Sequence, residues 1–275
     1  MVTWDAQDYA RNSGAQHRWA RELIDKLDLC GSERVMDLGC GDGKVSADIA
    51  RLVPNGEVVG VDKSEGMVRF ASASFPRDEW QNLSFVHGDA SQLAFCDEFD
   101  VVFSNATLHW IMDHLPVLRG ITRALKPGGR VLLQMGGRGN AAAVQAVLDE
   151  VCTTSRWNSY FTGFTHSYGF YGPEEYACWL PKAGLRSIRS ELIPKDMAQQ
   201  GKEGLAGWMR TTWQPYTQRV PEDLRDEFVR EAVDRYLRDW PPDTGGNVHV
   251  QMVRLEVQAV KPGTRSSANG IWMMG

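Results

Sequence analysis

Short apolar runs rich in β-branched and aromatic residues recur through the first half of the chain, at Arg34–Leu38, Glu57–Asp62, Leu83–His87, Phe99–Ser104 and Arg130–Met135. Runs of this length and composition predict strands. Lys44–Val53, Glu65–Ser74 and Asp113–Leu125 instead carry apolar residues at three-to-four spacing and end near Pro or Gly, which predicts amphipathic helices. Strand and helix in alternation imply an α/β fold with a parallel, doubly wound sheet. Ligands of such sheets bind beyond the carboxyl ends of the strands, so the loops after each strand are where chemistry is expected.

After a further predicted helix at Ala141–Thr154 the alternation breaks. Trp157, Tyr160, Phe161, Phe164, Tyr168, Phe170 and Tyr171 crowd one short segment. Pro173–Ala183 then reads as a helix, Leu185–Ile193 as a strand, Glu203–Gln218 and Glu222–Asp239 as helices, and Val248–Val260 as a long final strand. The two late strands extend the same sheet, and the segments 155–172 and 194–246 form an aromatic-rich helical lid. The expected division is a helical cap over 1–30, a core over 31–154, the rest of the sheet with the lid over 155–262, and a loose tail over 263–275.

Composition narrows the function classes. With 43% hydrophobic and 24% charged residues and a net charge of −5, the chain has the profile of a globular protein with a real core. No cluster of Lys and Arg suited to neutralising phosphates is present, which argues against nucleic acid as a partner. Five widely spaced cysteines without a C-x-x-C pair give neither a disulfide framework nor a zinc site. The histidines lack metal-ligand spacing, so no metal is expected. Without a basic flank, an apolar leader or an apolar run of about 18 residues, the chain reads as cytoplasmic and off the membrane. Oligomeric state is not legible.

The first predicted strand leads into Asp37, Leu38, Gly39, Cys40, Gly41, Asp42, Gly43 and Lys44. Its glycines let the main chain turn tightly and approach a ligand. The spacing is not that of a phosphate-binding P-loop, and it departs from the dinucleotide fingerprint because Lys44 stands where the third glycine belongs. Asp62 closes the second strand, where an acid accepts from ribose hydroxyls in nucleoside-binding folds. His87-Gly88-Asp89-Ala90 closes the third, with Asp89 placed for an adenine amino group.

These residues resemble class I S-adenosylmethionine-dependent methyltransferases over roughly Val35–Met135. The resemblance is carried by Asp37 to Gly43, Val61-Asp62-Lys63-Ser64, Gly88-Asp89-Ala90, Phe99-Asp100 and Leu125-Lys126-Pro127-Gly128-Gly129. It implies a Rossmann-like, mostly parallel seven-stranded sheet and S-adenosyl-L-methionine as cofactor, with S-adenosyl-L-homocysteine as product. In that family the loop matching Asp37, Gly39, Cys40, Gly41 and Gly43 lies along the methionine part of the cofactor. The acid matching Asp62, beside Lys63, holds the ribose. The residues matching Asp89 and Ala90 meet adenine, with Met67 packed on its face. Ser104 and Asn105, after the fourth strand, and Tyr9 and Ser13, ahead of the first helix, complete the cofactor set.

The loop Ser104-Asn105-Ala106-Thr107-Leu108-His109-Trp110 lacks the Asn- or Asp-Pro-Pro-aromatic run by which nucleic-acid amino methyltransferases grip an amine. Its Leu-His-Trp ending is similar to the small-molecule carboxyl methyltransferases, among them the juvenile hormone acid and trans-aconitate methyltransferases. The spacing of Tyr9 and Gln16 agrees. The resemblance implies that Gln16 and Trp110 hold a substrate carboxylate. A carboxylate with a pKa near 4 is ionised at neutral pH and needs alignment rather than a base, and neutral N–H donors hold it without quenching its nucleophilicity. His109 is the candidate base for any other acceptor. Trp157, Tyr160, Phe164, Tyr168, Trp208 and Trp213 are candidate walls of the substrate pocket, and Arg210 a candidate anchor for a second anion. The expected activity is methyl ester formation on a small, apolar acid. The alternatives are O-, N- or C-methylation of another small metabolite and, on a different chemistry, an NAD-type oxidoreductase, which the missing third glycine disfavours.

Overall fold

The structure, a computed structural model, describes residues 14–165 and 168–263, with the side chains of 14–18 not described. Seven strands form one sheet in the order β3-β2-β1-β4-β5-β7-β6. They are β1 (Arg34–Leu38), β2 (Glu57–Asp62), β3 (Leu83–His87), β4 (Phe99–Asn105), β5 (Leu125–Gly136), β6 (Arg186–Gln200) and β7 (Asn247–Val260). The first five are parallel, and β7 runs antiparallel to both β5 and β6. The seven-stranded, mostly parallel sheet expected from the sequence is therefore the fold.

Helices cover both faces. On one, α1 (Gly14–Ile24) and α2 (Lys44–Leu52) bury Leu23, Ile49 and Ala50 against Val35, Val58, Val101 and Leu132. Beyond β2, α3 (Glu65–Ser74) starts on an N-cap in which Ser64 Oγ accepts from the Met67 N–H. On the other face, α4 (His114–Ala124) and α6 (Pro173–Lys182) bury Val117, Ile121, Tyr176 and Leu180 against Met36, Val59, Val102 and Leu133. Strands buried on both faces read as continuous apolar runs, which is why the pattern in β1 and β2 is so plain.

The last two strands are longer than the sheet that they join. β5 pairs with β7 only from Gly136 opposite Arg254 to Arg130 opposite Val260, whereas β6 pairs with β7 over its whole length. The remainder projects as a two-stranded ribbon. Around it pack α5 (Ala142–Thr153), α7 (Gly201–Thr212), α8 (Gln214–Thr217) and α9 (Arg225–Asp239), joined by Trp157, Phe161, Trp208, Trp213, Tyr216 and Phe228 in one aromatic core. Two expectations change. The strand read over Leu185–Ile193 continues to Gln200, so the second lid segment begins there and not at 194. The helix read over Glu203–Gln218 breaks at Trp213, whose φ/ψ of −101°/38° is non-helical.

The order of the sheet reverses between β1 and β4. Their carboxyl ends meet there and open a crevice.

Candidate active site

The loop leaving β1 is shaped by its glycines. Gly39 and Gly43 have φ of +79° and +81°, a region costly to any other residue. A Cβ on Gly39 would lie 2.1 Å from Thr107 Cγ2, and one on Gly43 2.7 Å from Phe85 Cζ. The N–H groups of Gly39 and Cys40 donate to Val61 O at 2.7 and 3.2 Å, tying the loop to β2. Asp62 then fixes its far side. It accepts from the Gly41 N–H (2.9 Å) and from the Ser64 N–H (2.8 Å). Burial pushes the Asp62 pKa up, against the pull of those two N–H groups.

A cavity of about 430 Å³ opens over this loop, within the roughly 300–1,000 Å³ of small-molecule sites. Gly39, Gly41, Asp62, Lys63, Met67, Asp89 and Ala90 line it, with Thr107 and Trp110 opposite. Asp89 accepts from Ser91 N–H and Oγ on one oxygen and pairs with Lys63 Nζ (2.7 Å) on the other. These partners, Lys63 first, hold its pKa down at about 2.

A second, smaller cavity of about 40 Å³ shares Ala106 and Trp110 with the first. Ala106 sits at φ +56°, unusual for a residue with a side chain, and its N–H donates to Gln134 O (2.8 Å). His109, Tyr168, Trp208, Trp213 and Arg254 surround the space. His109 is buried, and its Nδ1 accepts from the Gly136 N–H at 3.3 Å. The ring proton is accordingly assigned to Nε2. Burial, and then the charge of Arg254, push the His109 pKa down to about 3. Tyr168 stacks on Phe170 (5.1 Å, 5°) and donates its hydroxyl to Thr212 O (3.0 Å), and burial pushes its pKa well up. His114 is a clamp beneath the loop. Its Nε2 faces Leu108 O and Ile111 O, both at 2.9 Å, and its Nδ1 accepts from Tyr176 Oη (2.8 Å).

Several residues singled out from the sequence support these cavities without lining them. Asp37 is buried behind the loop and accepts from Ser46 Oγ at 2.6 Å. Burial, reinforced by Asp62 and Asp42, pushes its pKa up to about 7. Cys40 is buried under the loop beside Gly60. Ser104 Oγ donates to Leu38 O (2.7 Å), bracing β4 against β1, and Asn105 ends β4 in register with Gln134. Gln16 lies on α1, and Tyr9 and Ser13 lie outside the described residues.

The candidate substrate walls divide. Tyr168, Trp208 and Trp213 line the second cavity. Trp157 does not, being wholly inside the lid core with Nε1 donating to Glu231 (2.7 Å). Tyr160 packs against Trp157, and Phe164 borders a separate opening beside Asp149 and Cys152. Arg210 is exposed on α7, because its position falls on the helix face opposite Leu205, Trp208 and Met209. The arginine that lines the second cavity is instead Arg254. The sequence carries a signal for it, since Arg254 falls in phase with Val248, Val250 and Met252, the inward face of β7. Asn140 and Phe170 also line the space, and no local motif marks them.

The Methyltransferase domain family matches residues 31–187. The chain belongs to that family. It is a class I S-adenosylmethionine-dependent methyltransferase and hence an enzyme. It is similar to the trans-aconitate 2-methyltransferase of Azoarcus sp. (strain BH72), 27% identical over 95% of this chain and 100% of that protein. Against the trans-aconitate 2-methyltransferase of Streptomyces coelicolor the identity is 30%, over 83% of this chain and 77% of that one. Among solved structures, this methyltransferase shares its fold with phosphoethanolamine N-methyltransferase 2 of Haemonchus contortus in complex with S-adenosyl-L-methionine. The TM-score is 0.59 at 20% identity, over 94% of this chain and 56% of the other. Among the described residues of the enzyme, no group of three or more His, Cys, Asp and Glu is placed to hold a metal. No described helix is long and apolar enough to cross a membrane.

Proposed function

We propose that this enzyme methylates a carboxylate oxygen of a small organic acid. The observation that carries the reading is the lack of a usable base around the second cavity among the described residues. His109 has its Nδ1 occupied by the Gly136 N–H, and Tyr168 spends its proton on Thr212 O. A phenol or an ammonium group must lose a proton on reacting, whereas a carboxylate arrives without one. Trans-aconitate, named in two of the similar proteins, is the first acceptor to try.

The first cavity fits the cofactor. At Gly39 any Cβ is excluded and the main chain itself forms the wall, while two half-buried acids, Asp62 and Asp89, stand along the same cradle. In this reading Gly39 and Gly41 would lie against the amino-acid part, Asp62 would accept from the sugar, and Asp89, Ala90 and Met67 would hold the base. S-adenosylmethionine, when bound, supplies a methyl group on a cationic sulfur that an oxygen nucleophile displaces, leaving S-adenosylhomocysteine. Trp110 borders both cavities and can donate an indole N–H to the reacting carboxylate, with Gln16 as its proposed partner. The apolar rings of Tyr168 and Phe170 exclude water from that oxygen.

The test is an acceptor screen with donor carrying a labelled methyl group. Volatile, base-labile label from carboxylic acids is the expected result, reduced at least about tenfold by Trp110→Phe or Gln16→Ala. Base-stable label confined to phenols or amines overturns the reading.

A further inference from the structure

The lid side of the second cavity carries polar groups that the reaction just described does not use. Trp208 and Trp213 are each only 2% exposed, and the indole Nε1 of each is buried without an acceptor among the described residues. Buried N–H groups are nearly always paired, so two orphans on residues that line one cavity need an explanation. The rings stand 6.1 Å apart at 78°, a geometry set by the break between α7 and α8. The amide plane of Asn140 is fixed by Oδ1 accepting from the Val253 N–H (3.1 Å).

Three acceptor atoms around this space already hold a donor: Thr212 O receives the Tyr168 hydroxyl, Asn140 Oδ1 the Val253 N–H and His109 Nδ1 the Gly136 N–H. Arg254 adds a positive charge, with its guanidinium 4.6 Å over the Trp19 ring and its field felt at His109. Among the described residues no Asp or Glu lines the space. Two unpaired N–H donors on lining residues beside a cation complement an anion rich in oxygen, not an alkyl chain.

We infer that Trp208 Nε1, Trp213 Nε1 and Arg254 form a subsite for a second, non-reacting carboxylate of the acceptor. This rests on the carboxylate reading above and deepens it, because the enzyme then selects acids with more than one carboxylate and discriminates against the apolar acid expected from the sequence. The reacting carboxylate lies at Ala106 and Trp110, where the two cavities join. The second reaches under the lid. Trp208 and Trp213 act on specificity, since a site built to pair a polar group rejects an analogue that lacks it.

The experiment compares trans-aconitate with trans-2-hexenoate, a monocarboxylate of equal carbon count, in the full-length wild-type enzyme and in Trp208→Phe, Trp213→Phe and Arg254→Met. The Phe variants keep a ring and remove the N–H. The wild type is expected to prefer the tricarboxylate by at least about a hundredfold in kcat/KM. Each Phe variant should lower that ratio about tenfold, through KM for the tricarboxylate, and Arg254→Met should lower it further. Calorimetry of both acids on the wild type loaded with S-adenosylhomocysteine reads the same preference without relying on any variant to fold. Equal affinity for the two acids, or Phe variants with an unchanged ratio, overturns the subsite while leaving carboxyl methylation in place. Failure of the wild type to methylate either acid, with phenols or amines accepted, overturns both.

Discussion

The main-chain N–H of Gly136, at the carboxyl end of β5, donates to Nδ1 of His109, in the loop after β4, at 3.3 Å. One hydrogen bond between neighbouring strand ends thereby decides what the histidine can do. Its acceptor nitrogen is used, its other nitrogen carries a proton, and burial keeps the ring neutral down to about pH 3. A residue that looks like a base in the sequence has its basic nitrogen already engaged as an acceptor in the fold.

His109→Gln should accordingly lower kcat by no more than about tenfold, the scale of one lost hydrogen bond, whereas loss of a general base costs about 10²–10⁴-fold. Steady-state kinetics with a carboxylic acid acceptor makes the distinction. A fall of a thousandfold, recovered by added imidazole, would restore the base assignment. The sign of the linkage is also fixed. A folded pKa below the unfolded value means that the unfolded chain binds the extra proton, so His109 costs stability as pH falls from about 6.5 toward about 3.

Asp37 titrates in the opposite sense. Its pKa rises from about 4 in the unfolded chain to about 7, chiefly through burial. Its contribution to stability is fully present below about pH 4 and is lost as pH rises through about 7. Asp37→Asn keeps an oxygen for Ser46 Oγ and removes the charge. At pH 8 the variant should exceed the wild type by on the order of 2 kcal/mol, with little difference at pH 4. Urea midpoints at the two pH values test this, and equal midpoints at pH 8 would reject it.

Much of this arrangement is legible in the chain itself, for a physical reason. β1 and β2 are apolar because both faces are covered, and Gly39, Asp62 and Asp89 stand at strand ends because topology puts ligands there. The second cavity is harder to see. It forms where the loop after β4 meets lid residues far along the chain, so Tyr168, Trp213 and Arg254 come together only through tertiary packing. Trp157 and Trp208 are indistinguishable as sequence, yet one donates to Glu231 inside the lid core and the other borders the cavity. Arg210 and Arg254 differ by phase, the first on the exposed face of α7 and the second on the inward face of β7.

Gly39→Ala tests the close approach of the two loops. The added methyl would meet the Thr107 side chain at 2.1 Å and sit at a positive φ, so neither a rotamer change nor a small shift relieves it. A loss of about 2–4 kcal/mol in stability is expected, with weakened affinity for S-adenosylhomocysteine. Thr107→Ala should recover only part of the loss, since Thr107 Cβ alone lies 2.5 Å from the added carbon. Denaturation midpoints of the single and double variants measure the coupling.

Asp62 and Lys63 are neighbours in sequence with unequal parts in the first cavity. Both Asp62 oxygens accept main-chain N–H groups, from Gly41 on the glycine loop and from Ser64 at the start of α3, so this one carboxylate sets the distance between the two elements. Removing it orphans two N–H groups and frees the loop. Asp62→Ala should weaken S-adenosylhomocysteine binding about 10²-fold, and Asp62→Asn by at least about tenfold, because its amide has one acceptor for two donors. Lys63 pairs with Asp89 through a largely exposed side chain, and pairs of that kind contribute little. Lys63→Ala should change the affinity less than about threefold. Calorimetry of the three variants gives the comparison, and equal losses at Asp62 and Lys63 would show that net charge, rather than the Asp62 clamp, holds the loop in its binding form.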